Sequence, residues 1–474
     1  MGCRYGPKIK QTEEGEVLMN AEEHVSQLIQ KAREAQKIFE GFSQERVDAA
    51  VQAIGKAVYD DAERLARMAV DETKMGKYED KVLKNKGKPK VTWQKLKGVK
   101  SRGIIRRIEE TGIVEVAKPI GVIGAVTPVT NPVMTPVHNA MIALKGGNAI
   151  ILCSHPAGAN SGKETVKVMR EALKKLDTPE DLIQVVDEST IETSSLIMKL
   201  TDFCISTGGP GMVKAAYSSG KPAFGVGPGN IQVLVDSDAD IVDAVSKIVV
   251  GRTYDNGVLC TCEQSTHVPQ DKEAEVVKAF KEKGAYYVSE PKEVDALRSA
   301  VFVNGMINKT LVGGKPVDIA AAAGIKVPED TKLLVVKVEK TGKDELLAKE
   351  KLLPVLSLFL YKTWEEAVDN ALKNTLFEGT GHSAVIHSFN QEHIEYAALK
   401  LPVSRFSINQ IGSNSLGGTL ANGLNPTATL GCGTWGNNSL SENLWFHHLV
   451  NISRIAYEIK DAPKLTDEEI WSLT

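Results

Sequence analysis

The amino-acid sequence predicts an α/β protein whose strands form parallel sheets in two domains. With 474 residues, the chain is too long for one compact core. Short apolar runs alternate with helical patterns from Ile113 to Val235, and a second series of the same kind runs from about 265 to 430. Short apolar strands separated by helices are typical of parallel sheets that helices cover on both faces. We place the boundary between the two domains near 240.

The first 100 residues are predicted to be mainly helical. Asn20 is a candidate N-cap, and the helix that follows carries apolar residues at helical spacing. Two further stripes of this kind begin at Val47 and Leu65. The lysine-rich segment from Lys81 to Lys100 contains Gly87 and Pro89. We interpret it as a solvated, irregular connection, with a patch that attracts a phosphorylated cofactor as the alternative. Residues 1–20 show little periodicity, and we expect a flexible tail there.

The alternating part of the chain places strands and helices in a regular order. Ligands of parallel sheets bind at the carboxyl ends of the strands, so the loops that follow the strands are the candidate sites. We predict strands at 113–116, 121–126, 149–153, 182–186, 203–206, 231–235, 333–336 and 356–360, and helices at about 132–144, at 162–173, up to 216 and at 241–250.

Composition and charge exclude several classes of protein. A net charge of −3 and a low aromatic content give no reason to expect a nucleic-acid partner. No apolar run approaches the roughly 20 residues of a membrane span, and there is no secretory signal, so we expect a cytoplasmic protein. The six cysteines match neither a disulfide framework nor a zinc site, so we predict a reducing compartment and no metal.

One cysteine lies in a loop that can present it to a substrate. Cys260 follows a helical pattern and an Asp-Asn-Gly turn at 255–257. A thiolate is a strong nucleophile even when only partly ionised, so Cys260 is the candidate nucleophile. Cys262 is interpreted as a small buried or loop residue, with a resolving thiol as the alternative.

Polar or glycine-rich segments follow two of the predicted strands. Asn131 lies between a strand and a helix, and its carboxamide can donate to a developing oxyanion; a helix cap is the alternative. The segment 206–209 follows another strand, where a pyrophosphate can approach the start of a helix. The glycine-rich stretch 225–229 precedes a strand and contains a proline. We therefore interpret it as a close backbone approach and not as a dinucleotide fingerprint.

In combination, these loops resemble those of the aldehyde dehydrogenase superfamily, and specifically of its coenzyme A-acylating branch. The resemblance covers residues 20 to 460. It implies the aldehyde dehydrogenase fold, with a Rossmann-like cofactor domain and an α/β catalytic domain. The segments that carry it are 117–122, 130–132, 206–209, 225–230, 255–260, 350–355, 381–382 and 429–436.

The resemblance also divides the chain and implies an assembly. A homodimer or homotetramer is expected. The implied parts are a tail at 1–20, an NAD(P)-binding domain at 21–240 with an oligomerisation segment near 100–118, a catalytic domain at 241–435, and a C-terminal segment at 436–474 that returns to the cofactor and oligomerisation region.

Each candidate residue receives a role from the resemblance. Cys260 matches the nucleophile, and Asn131 matches the oxyanion donor, which the backbone N–H of Cys260 assists. Glu350 matches the carboxylate that holds the nicotinamide ribose. The remaining cofactor-binding candidates are Thr127, Ser154, His155, Ser206, Thr207, Gly208, Gly209 and Gly227.

One departure from the family pattern narrows the chemistry. Hydrolytic members carry a water-activating glutamate before the strand that begins at Ile231, and Val226 occupies the matching position here. A valine cannot act as a general base, so a better nucleophile than water has to release the acyl group. We therefore expect reversible, NAD(P)-dependent acyl transfer from Cys260 to coenzyme A. A hydrolytic or phosphate-dependent dehydrogenase and a non-catalytic assembly protein are the alternatives.

The sequence leaves open two choices of coenzyme and several choices of aldehyde. The loop after the strand at 149–153 has no carboxylate to repel a 2′-phosphate, so either NAD or NADP fits, with Ser154 and His155 as contacts. The segments 422–427 and 441–444 resemble those of acylating dehydrogenases that act on succinate semialdehyde or sulfoacetaldehyde. Arg405 is the candidate for holding the anionic tail of such a substrate, with a salt-bridge arginine as the alternative. Acetaldehyde or propionaldehyde is the alternative substrate.

Two further segments each have two interpretations. His382 either lines the site and shuttles a proton to or from coenzyme A, or it is structural. The polar, weakly amphipathic residues 1–20 are either a plain tail or a packaging tag for a bacterial microcompartment.

Overall fold

The computed structural model describes residues 20–460 and 462–473. It shows the predicted α/β architecture, in which the chain forms two parallel sheets and smaller antiparallel ones. The predicted tail and the alternative packaging tag lie outside the described residues, apart from Asn20. Within the described ranges, no helix is long and apolar enough to cross a membrane.

Four helices precede the first strand, and the predicted apolar stripes face the core. Asn20 caps the first helix, where its side chain accepts a hydrogen bond from the N–H of Glu23 at 2.8 Å. The helices are α1 (Ala21–Glu40), α2 (Gln44–Asp60), α3 (Ala62–Thr73) and α4 (Tyr78–Leu96).

The interpretation of Lys81 to Lys100 as an irregular, solvated connection is wrong. Helix α4 runs through most of this segment, and Lys81 and Lys84 are buried. Pro89 lies inside the helix and is also buried. The two lysines can be buried because Asp255, which is far along the chain, accepts hydrogen bonds from both ammonium groups. Buried charges have to be paired in this way.

The next part of the chain contains two antiparallel strands and then a parallel sheet covered by helices. Its elements are β1 (Gly103–Ile108), β2 (Ile113–Pro119), β3 (Val122–Thr127), α5 (Met134–Lys145), β4 (Ala149–Ser154), α6 (Ala159–Lys174), β5 (Ile183–Val185), α7 (Ile191–Leu200), β6 (Phe203–Thr207), α8 (Pro210–Tyr217) and β7 (Ala223–Val226). The sheet has the order β5-β4-β3-β6-β7, and its strands are parallel. Strands β3 and β4 are buried at every residue, as expected for central strands that helices cover.

A second, seven-stranded parallel sheet follows. Its region comprises β8 (Ile231–Val235), α9 (Ile241–Thr253), β9 (Glu263–Pro269), α10 (Glu273–Glu282), β10 (Ala285–Val288), α11 (Pro291–Val301), β11 (Phe302–Val303), β12 (Met306–Ile307), α12 (Pro316–Ala322), β13 (Leu333–Lys337), β14 (Val355–Tyr361), α13 (Trp364–Phe377), β15 (Ala384–His387), α14 (Gln391–Lys400), β16 (Phe406–Ile408) and α15 (Gly412–Ser415). The strand order is β10-β13-β14-β9-β8-β15-β16.

The chain changes from one sheet to the other at 227–230, earlier than the boundary expected near 240. Strand β7 pairs in the first sheet, whereas β8 pairs with β9 and β15 in the second. An apolar strand looks the same in either sheet, so only the pairing partner decides where it belongs. The division of the chain into functional domains stays a prediction.

The last described strand returns to the region before the first sheet. Strand β17 (Val450–Ala456) pairs antiparallel with β2 along its length, and α16 (Asp467–Trp471) follows it. The resulting sheet has the order β1-β2-β17 and includes the segment near 100–118 that we expect to mediate oligomerisation. The oligomeric state itself stays a prediction.

Candidate active site

Cys260 lies in the loop between α9 and β9, at the amino-terminal edge of the second sheet. Before it, Asp255, Asn256 and Gly257 adopt left-handed conformations with φ angles of 49°, 53° and 73°. Asp, Asn and Gly tolerate this region best, so the predicted Asp-Asn-Gly turn is the local cause of the chain reversal. The Nδ2 of Asn256 donates to the carbonyl oxygen of Gly313 at 2.9 Å and holds the turn.

The glycine-rich stretch 225–229 packs directly against Cys260. A Cβ atom at Gly229 would lie 2.0 Å from the carbonyl oxygen of Cys260, so only glycine fits there. A Cβ atom at Gly227 would lie 3.7 Å from the Sγ of Cys432, which therefore lines the same space. These contacts are those of a close backbone approach.

Glu350 lies beside the nucleophile. Its Oε1 accepts from the N–H of Gly229 at 3.0 Å, and its own N–H donates to Oε2 of Glu378 at 2.7 Å. Burial, and then the charge of Glu378, raises the pKa of Glu350 to about 8. The surroundings of this carboxyl group therefore favour its protonated form more than water does.

The sulfur of Cys260 is a protonated thiol in these surroundings. The residue keeps part of its surface accessible, but the protein around the sulfur displaces water. Burial, followed by the neighbouring Glu350 and Cys432, raises the pKa of Cys260 to about 12, while the charge of Arg405 lowers it. A positive charge brought close to the sulfur would favour the thiolate.

Arg405 braces the loops around Cys260. Its Nη1 donates to the carbonyl oxygen of His382 at 3.0 Å and to Oγ of Ser383 at 3.2 Å, and its Nη2 donates to the carbonyl oxygen of Gly431. Both terminal nitrogens are thus engaged by the protein. Arg405 is buried, and its hydrogen-bond partners among the described residues are carbonyl oxygens and a hydroxyl group, with no carboxylate among them.

His382 is buried within these braced loops. Its Nδ1 lies 3.1 Å from Oγ of Ser383, and its Nε2 has no hydrogen-bond partner among the described residues. Burial lowers the pKa of His382 to about 3, so the imidazole is neutral. A neutral ring with one unpartnered nitrogen can exchange a hydrogen bond with a substrate, which favours the site-lining interpretation.

Three hydroxyl groups lie at the carboxyl ends of adjacent strands in the first sheet. Thr127 ends β3 and is paired with Ser154, which ends β4, while Val126 is paired with Ser206 of β6. The three hydroxyl oxygens are buried and have no hydrogen-bond partner among the described residues. Unpartnered buried hydroxyls at this edge fit a bound dinucleotide, as the sequence predicts.

The residues after β6 leave room for a phosphate group. Gly209 is the N-cap of α8, and a Cβ atom there would meet nothing within 4 Å. At Gly208 it would make only ordinary contacts with Met212. Thr207 is tied to the second half of the chain, since its Oγ1 lies 2.8 Å from Oγ1 of Thr429. The N–H groups at the start of α8 can therefore face a pyrophosphate.

A carboxylate that the local sequence does not show lies after β4. Glu72, from α3, accepts hydrogen bonds from the N–H groups of Asn160 and Ser161 at 2.9 and 2.8 Å, at the start of α6. His155 is exposed, and its Nδ1 accepts from the N–H of Ala157. A 2′-phosphate at this helix start would meet the charge of Glu72. The lack of an acidic residue in the loop itself therefore does not favour NADP.

Asn131 does not cap the helix that follows it. The N-cap of α5 is Val133, and no side chain caps the helix, so that alternative is wrong. Instead, Oδ1 of Asn131 accepts from Nζ of Lys84 at 2.6 Å. Lys84 also donates to Asp255, in the turn before Cys260. This lysine is not predicted from the sequence, although its three-residue spacing from Lys81 would have been a signal in a recognised helix.

The structure joins the loop of Asn131 to the turn before Cys260 through Lys84, and it leaves unpartnered hydroxyl groups at the edge of the first sheet. These are features expected of a thiol-dependent dehydrogenase. The chain belongs to the aldehyde dehydrogenase family, whose sequence model matches residues 5–427. Among its relatives it falls with the acylating aldehyde dehydrogenases.

Two curated relatives and one solved structure are similar to this chain over nearly its whole length. The chain is 49% identical over 453 residues to a succinate-semialdehyde dehydrogenase (acetylating) of Clostridium kluyveri, covering 96% of this chain and 100% of that protein. It is 39% identical over 450 residues to a sulfoacetaldehyde dehydrogenase of an Acholeplasma species, covering 94% and 92%. The crystal structure of an acetylating aldehyde dehydrogenase from Geobacillus thermoglucosidasius superposes with a TM-score of 0.90 at 39% identity, covering 94% and 98%.

Proposed function

We propose that this protein oxidises succinate semialdehyde with NAD(P) and transfers the acyl group from Cys260 to coenzyme A. The observation that carries acyl transfer is Val226, which lies where the family resemblance expects a water-activating glutamate. Val226 is buried within an apolar core and offers no base for hydrolysis. The succinate-semialdehyde relative, similar over nearly the whole chain, supports the choice of aldehyde.

The oxidative half-reaction starts at Cys260. Its thiolate attacks the aldehyde carbon and forms a thiohemiacetal, while Nδ2 of Asn131 and the N–H of Cys260 donate to the oxyanion. The nicotinamide, when bound, supplies the hydride acceptor and a positive charge near the sulfur. Glu350, Thr127, Ser154 and Ser206 are the residues that would hold this cofactor. The result is a thioester on Cys260.

The acyl transfer half-reaction restores the cysteine. The thiol of coenzyme A loses its proton, and its sulfur attacks the thioester carbonyl carbon. The C–S bond to Cys260 then breaks, the acyl-CoA leaves, and one proton balances the thiolate released on Cys260. In this proposal Nε2 of His382 accepts the hydrogen bond of the incoming thiol, and its lack of a partner among the described residues supports that role. Each half-reaction passes through its own tetrahedral intermediate, and in both the negative charge develops on the former carbonyl oxygen of the aldehyde. Asn131 therefore serves both half-reactions, which run in either direction.

The fate of the acyl group tests this function. With succinate semialdehyde, NAD(P) and coenzyme A, we expect acyl-CoA to account for nearly all of the reduced nicotinamide formed, because no base activates water. Without coenzyme A, we expect a burst of about one reduced nicotinamide per Cys260 followed by slow turnover. Chromatography of the thioester and the free acid, alongside absorbance at the nicotinamide band, measures both. Free acid as the main product in the presence of coenzyme A would contradict acyl transfer.

A panel of aldehydes tests the substrate and the role of Arg405. We expect kcat/KM for succinate semialdehyde to exceed that for sulfoacetaldehyde, acetaldehyde and propionaldehyde by about tenfold or more. Since both Nη atoms of Arg405 brace carbonyl oxygens, Arg405→Lys should lower kcat/KM for all four aldehydes by a similar factor of about 10.

Two outcomes of that panel would count against these expectations. If Arg405→Lys slows only the two anionic aldehydes, the guanidinium holds the substrate tail and does not merely brace the loops. If a short aliphatic aldehyde is preferred by the wild type, the proposed substrate is wrong, while acyl transfer itself stands.

A further inference from the structure

Lys84 connects the two loops that carry the reacting groups. Its Nζ donates to Oδ1 of Asn131 at 2.6 Å and also to Oδ2 of Asp255. The side chain of Lys84 is 6% exposed and that of Asp255 is fully buried. Asp255 belongs to the left-handed turn that leads to Cys260, so one ammonium group bridges the Asn131 loop and the Cys260 loop.

The chemistry of the ammonium group dictates how Asn131 is oriented. An ammonium group has three donors and no acceptor, so the carboxamide must turn its oxygen, and not its nitrogen, toward Lys84. Turning the amide over would place Nδ2 against the ammonium group and lose a charge-assisted hydrogen bond inside the protein. The competing partner of Nδ2 is weak, since Oγ1 of Thr130 lies 3.4 Å away. Nδ2 is therefore left available to another acceptor.

We propose that Lys84 is a positioning residue for catalysis: it fixes the carboxamide of Asn131 with Nδ2 toward the reacting oxyanion and ties that amide to the turn of Cys260. The proposal rests on the proposed function, in which Asn131 is the oxyanion donor. The positive charge of Lys84, next to Oδ1, also polarises the amide and makes its N–H a stronger donor.

Lys81 offers a matched control. It lies one turn earlier on the same helix, its side chain is 3% exposed, and its Nζ donates to the same Oδ2 of Asp255 at 3.1 Å. Among the described residues it forms no hydrogen bond with Asn131. Replacing Lys81 therefore removes a buried cation and a partner of Asp255 without touching the carboxamide.

The experiment is a double-mutant cycle on the holoenzyme. Lys84→Met, Lys81→Met, Asn131→Ala and the double variants Lys84→Met/Asn131→Ala and Lys81→Met/Asn131→Ala are compared by the rate of the first-turnover nicotinamide burst. The rate at which iodoacetamide alkylates Cys260 reports the thiol alone, since that reaction needs no oxyanion donor. Lys84→Gln, whose amide can donate to Oδ1, replaces Lys84→Met if the latter does not fold.

We expect Lys84→Met to slow the burst by about 10- to 100-fold in the presence of Asn131 and by less than about twofold in the Asn131→Ala background. Lys81→Met should slow the burst by the same factor in both backgrounds. Alkylation of Cys260 should change by less than about twofold in Lys84→Met, and Lys84→Gln should recover part of the burst rate.

Additive effects of Lys84→Met and Asn131→Ala would overturn the proposal, because Lys84 would then not act through the amide. Alkylation slowed as much as the burst would also overturn it, since the lysine would be maintaining the Cys260 loop in general. A burst in Asn131→Ala as fast as in the wild type is a different failure. It would remove the oxyanion role of Asn131 from the proposed function, and the Lys84 proposal with it.

Discussion

Replacement of Cys260 by alanine will abolish acyl-CoA formation while leaving the cofactor bound. The covalent intermediates of the proposed reaction form and break at this sulfur, and the nearby Cys432 lies in a different loop. Removal of a catalytic nucleophile typically costs on the order of 10⁴-fold or more in kcat. The expected result is the loss of both steady-state acyl-CoA and the nicotinamide burst. The affinity for NAD(P), measured by fluorescence titration, should stay within about twofold, because Cys260→Ala removes no cofactor contact.

Cys262 provides the control for this experiment. It is also a buried thiol in the same loop, and burial raises its pKa as well. Its Sγ contacts the carbonyl oxygen of Tyr254 at 3.8 Å, whereas Cys260 packs against Gly229. Cys262→Ala should therefore retain activity and an acylated enzyme detectable by mass spectrometry. Activity retained in Cys260→Ala, or lost only in Cys262→Ala, would move the nucleophile to the other thiol.

Replacement of Asn131 by alanine will lower kcat by about 10²- to 10³-fold, the usual cost of removing one oxyanion donor. The aldehyde KM should change little, because the hydrogen bond forms fully only in the transition state. Steady-state kinetics in both directions measure the effect, since oxidation and reduction share the oxyanion. If kcat falls for oxidation alone or for reduction alone, Asn131 serves substrate binding and does not stabilise the oxyanion that both directions share.

The variant Asn131→Asp tests whether the hydrogen bond donated by the side chain matters, or only its size and shape. The carboxylate keeps the size of the side chain and gives Lys84 a stronger partner, but it has no N–H for the oxyanion. It should therefore be at least as slow as Asn131→Ala, with a folded structure by circular dichroism. A rate within about tenfold of the wild type would contradict the donor role.

Much of this site follows from local sequence. The left-handed turn at 255–257 follows from Asp, Asn and Gly in succession, since few other residues adopt positive φ at low cost. The exposed start of α8 follows from Gly208 and Gly209 after an apolar strand. The buried strands of the first sheet follow from their uninterrupted apolar runs. Each of these features depends on a few neighbouring residues, so the sequence alone contains its cause.

Other parts of the site depend on residues far apart in sequence. Lys81 and Lys84 look like solvent-exposed lysines until Asp255 is placed beside them. Arg405 looks available for an anionic substrate until its Nη atoms meet the carbonyl oxygens of His382 and Gly431. Glu72 shows no relation to the loop after β4 until α3 packs against α6. No local pattern encodes these pairings, because each is between groups brought together only by folding.

The sequence by itself determined the α/β class, the order of most helices and strands, the turn that presents Cys260 and the chemistry that Val226 excludes. The tertiary structure alone decided which sheet β8 joins, which amide end of Asn131 is held, and how strongly Cys260 is desolvated. The physical reason is the range of the interactions. Backbone preferences and apolar periodicity act between neighbours along the chain, whereas charge pairing, desolvation and strand pairing act between neighbours in space.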